Sequence, residues 1–182
     1  MKKIFVFFFV FLFSFGVAQD LRMKNAFGID LGWSTEGFSN EGYGYGFVFE
    51  RELFSFLSFK LRHGVVETWK QAVGYRVSSF VYSFLLSYNV FNKGLEGFSL
   101  SLGYGYDKVI VSDKESSETR YNFLVNFVDI MASYKFFVWE RFLVDPYVEF
   151  MFPLGQLNRE KTGIAMSTSY VNIIGINLGF GF

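Results

Sequence analysis

The sequence predicts an all-β fold, an eight-stranded antiparallel up-and-down transmembrane β-barrel with both termini on the periplasmic side. Three observations predict it. Large apolar residues alternate with small or polar ones along almost the whole chain, a period of two. The connections between these stretches are alternately short and long. The last stretch, Tyr170 to Phe182, puts Tyr170, Asn172, Ile174, Ile176, Leu178, Phe180 and Phe182 on one face and Gly175, Asn177, Gly179 and Gly181 among the residues between. Ending on an exposed aromatic would invite aggregation in water but suits a strand that faces lipid.

Composition narrows the class. Of 182 residues 51% are hydrophobic and 23% aromatic, with 27 Phe, yet past the N-terminal segment nothing approaches the ~20 consecutive apolar residues of a spanning helix. Either a very rich soluble core or a membrane barrel remains. Without Lys2 and Lys3, 15 basic residues face 17 acidic ones, a balance that suggests no nucleic-acid partner. With no Cys, disulfides and thiolate metal sites are excluded, and no cofactor is expected.

Residues 1 to 18 read as a signal peptide: two lysines, an apolar run from Ile4 to about Phe15, then Gly16-Val17-Ala18. Cleavage is expected between Ala18 and Gln19, leaving 19–182 as the barrel domain. An N-terminal anchor is the alternative, and the shortness of the run and the small-residue site favour the signal.

The strands follow in order. Strand one, about Asn25 to Thr35, sets Phe27, Ile29, Leu31 and Trp33 against Gly28, Asp30, Gly32 and Ser34. Strand two, about Gly42 to Arg51, sets Tyr43, Tyr45, Phe47 and Phe49 against Gly44, Gly46, Val48 and Glu50. Strand three, about Leu53 to His63, carries Lys60 and Arg62 on its polar side, and strand four runs from about Gly74 to Phe91. Strands five, six and seven fall at about Phe98 to Ser112, Tyr121 to Phe137 and Phe142 to Leu154. Pro146 cannot donate to a ladder, so it is expected at a bulge or near the start of strand seven. Tyr170 to Phe182 is strand eight.

Arg51 to Leu53, Asn92 to Gly97 and Val138 to Arg141 are tight connections; Glu36 to Glu41, Gly64 to Val73, Asp113 to Arg120 and Pro153 to Ser169 are longer and polar. Short turns at one end and long loops at the other is how outer-membrane barrels are built. A soluble barrel of this size buries its large apolar side chains, but an eight-stranded interior has no room for this many rings. The rings are therefore expected outside, with Tyr43, Tyr75 and Trp33 in one interfacial girdle and Phe98, Trp139 and Phe182 in the other.

The signal, the alternating segments, the PYVEF run from Pro146 to Phe150 and the terminal Leu178-Gly179-Phe180-Gly181-Phe182 together resemble the small outer-membrane β-barrel superfamily of the OmpA/OmpX kind. The resemblance implies a bacterial outer-membrane location, outer-membrane lipid as surroundings, and recognition of Leu178, Phe180 and Phe182 by the assembly machinery. It implies no single activity. A monomer is expected.

Among candidate sites, the lumen charges are the most informative. Counting from the turns puts Lys60, Arg62, Asp129 and Glu149 at one height in a cross-lumen cluster, with Lys135 near Asp145 below. Buried charges need partners, so a packed plug is the plain reading and a narrow ion path the functional one. His63, the sole histidine, could join Ser78, Ser79 or Glu67 in a hydrolase or acyltransferase constellation, though no spacing fixes one; a solvated rim residue is the plain reading. Gly42 to Gly46 lacks the helix and Lys-Ser/Thr of a phosphate loop, and Asp113 to Arg120 lacks calcium-ligand spacing. Pro153 to Ser169, the longest loop, is the expected binding surface if there is one.

Overall fold

A computed structural model of the chain describes residues 23–69, 74–91, 95–138, 141–154 and 171–182. Strands β1 (Asn25–Asp30), β2 (Tyr43–Phe54), β3 (Leu57–Thr68), β4 (Tyr75–Asn89), β5 (Gly97–Asp113), β6 (Thr119–Val138), β7 (Phe142–Leu154) and β8 (Val171–Gly181) close in sequence order, β8 pairing back on β1. All pairs are antiparallel. The cleavage site at Ala18 and Gln19, Trp139, Tyr170 and residues 155–169 of the longest loop lie outside the described residues.

The faces divide as the alternation predicts. Leu86 is 54% exposed, Leu102 60% and Ile174 68%, while their neighbours Ser87, Ser101 and Ile173 are buried. On β8, Leu178, Phe180 and Phe182 line the outer wall and Gly179 and Gly181 the inner one. Gly28 and Gly179 face each other across the β1–β8 seam, where a Cβ on Gly28 would lie 2.7 Å from the Leu178 carbonyl oxygen. Glycine here lets the closing strands approach.

The ladder also sets the tilt. One row joins Ala26, Glu50, Lys60, Leu85, Gly103, Asp129, Met151 and Val171, whereas Ala26 pairs across the closing seam with Gly181, ten residues from Val171. A row therefore climbs from the terminus end toward the long-loop end as it goes round. β5 and β6 are the longest strands, at 17 and 20 residues. β6 runs on to Thr119 past the last β7 pair, Asn126 with Leu154.

Several predicted boundaries are corrected. Strand one stops at Asp30, and helix α1 (Gly32–Ser39) replaces its upper half and the Glu36 to Glu41 loop. The Asp30 carboxylate accepts the Gly32 N–H at 3.0 Å, turning the backbone out of the ladder. Trp33 is thus no girdle residue: it points inward and is 2% exposed. Tyr75 likewise faces inward, against the apolar cluster of Val77, Val109 and Val111. The turn predicted at Arg51 to Leu53 falls at Ser55–Phe56, because a register shift between Glu52 and Phe54 lengthens β2. Strand three continues through Gly64 to Thr68, so His63 lies within the strand and not at a rim. Pro146 sits in no bulge: the β6–β7 register is the same on both sides of it, and the ladder skips Asp145 and Pro146. It is the fifth residue of its strand, on the outer wall.

Candidate functional site: the lumenal charge layers

Every strand alternation that puts a ring on the outer wall puts its neighbour inside, which is how the charges reach the lumen. Lys60, Arg62, Asp129, Lys135, Asp145 and Glu149 are all buried there, together with Asp30 and Glu50. They form two layers.

In the layer nearer the long loops, Arg62 is the hub. Its Nε and Nη2 donate to Asp30 Oδ2 at 3.1 and 2.5 Å, Nη2 also donates to the Tyr147 hydroxyl at 2.9 Å, and Nη1 donates to Glu149 Oε1. Tyr147 in turn donates to Asp30 Oδ1 at 2.5 Å. In the layer nearer the termini, Lys135 donates to Glu50 at 2.6 Å, and Lys60 lies 3.4 Å from Glu50 and 3.7 Å from Asp145. Ser58 donates to Glu50, and Asn177 donates to Asp145 at 3.0 Å.

Of the four residues expected in one cluster, Arg62 and Glu149 form an ion pair. The predicted single cluster does not form. Lys60 shares a ladder row with Asp129 and Met151 but not a height, because the row climbs. On β7, half the ring away, the level of Lys60 lies about half the ten-residue stagger below Met151, near Asp145. Lys60 accordingly pairs with Glu50 and Asp145, and Lys135, expected near Asp145, bonds to Glu50 in that same layer. Asp30, Glu50 and Tyr147 were missed as members. Their positions on the inward face signal a lumen location, but only the stagger reveals their partners.

The interior is also less uniformly polar than expected. Trp33, Val66, Val81, Leu85, Phe127, Met131, Tyr147, Met151 and Ile173 form an apolar cluster around the Arg62 layer. Trp33 fits because β2 and β3 offer glycines: a Cβ on Gly46 would meet its ring at 2.5 Å, and one on Gly64 would overlap it. Its ring lies 5.8 Å from the Arg62 guanidinium carbon. Ser34 donates to the Gly44 carbonyl at 2.7 Å, pinning α1 into the mouth.

The hydrolase constellation is not assembled. His63 faces outward, its Nδ1 3.0 Å from the Val81 carbonyl oxygen and its ring stacked on Tyr82 at 4.4 Å. Ser78 donates to Glu67 at 3.4 Å on the same wall, while Ser79 faces the lumen. No group of three metal-ligating side chains occurs among the described residues.

Eight antiparallel strands in a closed ring are the fold of solved eight-stranded outer-membrane β-barrels. Two solved structures share it. Neisserial surface protein A is similar with a TM-score of 0.52 at 10% identity, over 88% of this chain and 95% of that one. The Yersinia pestis outer membrane protein Ail, in a phospholipid bilayer nanodisc, is similar with a TM-score of 0.50 at 13% identity, over 88% and 99%. No protein-family model matches the sequence, and no curated protein does either.

Proposed function

We propose that the chain is an integral protein of the bacterial outer membrane with a structural or surface-interaction role, its lumen closed by charge pairs and non-conducting. The mature form begins at Gln19, after a signal peptide ending at Ala18; the termini and short turns face the periplasm and the long loops the outside. Outer-membrane lipid surrounds a monomer, and the assembly machinery recognises Leu178, Phe180 and Phe182 on the closing strand. No catalytic role is assigned.

The observation that carries the reading is the Arg62 layer: a fully buried cation on β3 bound to Glu149 on β7 straight across the ring and to Asp30 on β1, with Trp33 seated above it. Such pairs are costly to bury and costlier to break singly, so they hold the walls together rather than line a path. Recording from the purified barrel in planar bilayers tests this. Conductance at background supports the plug, and stable stepwise openings refute it.

One feature favours a second reading, a carrier of small hydrophobic molecules. The inner face of the long strands is apolar, with Val77, Val109 and Val111 packed by Tyr121, Phe123 and Val125. Saturable binding of a fluorescent fatty acid, lost in Val109→Asp, would move the assignment to that class.

A further inference from the structure

We infer that Asp129 and Glu149 share one proton inside the lumen, and that this proton keeps Arg62 on Asp30 and so keeps α1 seated in the mouth. This deepens the closed-lumen reading and rests on it.

The two layers differ in charge. In the lower one, Glu50 and Asp145 face Lys60 and Lys135, and every charge has an opposite within 3.7 Å. In the upper one, Asp30, Asp129 and Glu149 face Arg62 alone among the described residues. Arg62 places its donors on Asp30, Glu149 and Tyr147 and none on Asp129. Asp129 is 0% exposed, and no donor among the described residues reaches either of its oxygens or Oε2 of Glu149. Yet the two carboxyls are diagonal neighbours on the inner face of β6 and β7, where Met131 pairs with Glu149 and Asp129 with Met151. Ionised carboxylates only accept, and two side by side away from water cannot both stay charged. One proton between them supplies the missing donor and removes an excess negative charge.

The remaining groups facing the pair do not replace that proton. β1 contributes Asp30, β3 Arg62 and Lys60, and β7 Tyr147 and Asp145, all already bonded. β2 contributes Glu50 and β6 Lys135, bonded to each other. β5 contributes Asp107, another acid, with one unpartnered oxygen. β4 contributes neutral Ser83 and β8 neutral Asn177. α1 contributes Glu36, bonded to Asn40 at 2.9 Å.

Losing the proton would leave three ionised carboxylates around one guanidinium and draw Arg62 off Asp30. Asp30 also holds the Gly32 N–H at the head of α1, and Trp33 rests over Arg62. The helix seat therefore loosens when the pair ionises.

The test uses the full mature barrel in lipid vesicles, with Trp69 and Trp139 changed to Phe so that Trp33 reports alone. Infrared spectra at neutral pH are expected to show the C=O stretch of a protonated carboxyl, absent in Asp129→Asn. Asparagine keeps the shape of Asp129 and offers Glu149 an N–H donor in place of the proton, so the variant is expected to fold. Trp33 emission should shift as the band disappears at alkaline pH and stay constant in Asp129→Asn. No band in the wild type, or one that persists in Asp129→Asn, overturns the inference. So does a missing band with thermal stability that depends on sodium or calcium, which gives the site to a cation. Background conductance without the band sinks this inference alone; stepwise openings with the band retained sink only the plug.

Discussion

Trp33 is the residue on which the mouth of the barrel is built. An indole needs space on both sides, and β2 and β3 provide it by lacking side chains at Gly46 and Gly64. Trp33→Ala is expected to cost about 3–5 kcal/mol, the usual range for emptying a large aromatic site, read from urea unfolding in lipid vesicles. Gly64→Val is expected to cost about 1–3 kcal/mol by overpacking. The two losses should not add: the double variant lets valine occupy indole space, and a cycle with no coupling would show that the ring is not seated there. At the other extreme of exposure, Asp113 closes its loop tip by accepting the Glu115 and Ser116 N–H groups at 2.9 and 3.1 Å. Those donors, Ser116 first, hold its carboxyl below the ordinary aspartate range. A depressed carboxylate stabilises above its unfolded value and loses that contribution as pH falls through the folded one. The 113–118 turn should therefore loosen only in acid below that ordinary range, visible as amide exchange at Ser116, and Asp113→Ala should loosen it at neutral pH.

At the scale of the element, alternation defines a strand well and its end poorly. Leu86 illustrates what alternation does settle: it stands 54% exposed between the buried Leu85 and Ser87. Leu86→Arg is expected to destabilise by about 2–4 kcal/mol if its depth is near the bilayer midplane, measured by urea titration in vesicles; an arginine tolerated there would turn the wall inside out. Strands β4 to β8 are legible for this reason, although Leu85, Phe127 and Met131, apolar and inside, show that alternation and not residue type alone declares the side. The upper half of strand one is not. Leu31-Gly32-Trp33-Ser34 alternates as well as any strand, and what redirects it is a side-chain acceptor on Asp30 and a glycine slot on other strands, neither of which a local period contains. Gly64 misled in the opposite direction, since a glycine that opens space for a distant ring looks like a loop signal. The charge network was legible in its members Lys60, Arg62, Asp129, Lys135, Asp145 and Glu149, all inside. It was illegible in its pairing, because partners depend on the ten-residue stagger, a property of the closed ring.

The whole molecule has two unlike ends, and that asymmetry gives its strongest test. The Ser55–Phe56 turn and the paired ends at Asn25 and Phe182 lie at one end, while the Asp113–Glu118 tip rises at the other on the long β5 and β6. Closure by neighbouring strands forces this: with an even number of antiparallel strands, the first and last residues must share an end with every second turn. The chain has no Cys, so single cysteines report without background. If the termini face the periplasm, Glu115→Cys in intact cells should react with a membrane-impermeant maleimide and Ser55→Cys should not, until the outer membrane is permeabilised. Leu102→Cys, on the outer wall of β5 and 60% exposed, should resist the reagent in both conditions yet carry a fluorophore that lipid-phase quenchers reach. Reversal of the first two places the long loops inside. Ready labelling of Leu102→Cys would mean that the ring-rich wall faces water, and a membrane barrel could not survive that result, since that wall is the surface by which its strands would meet lipid.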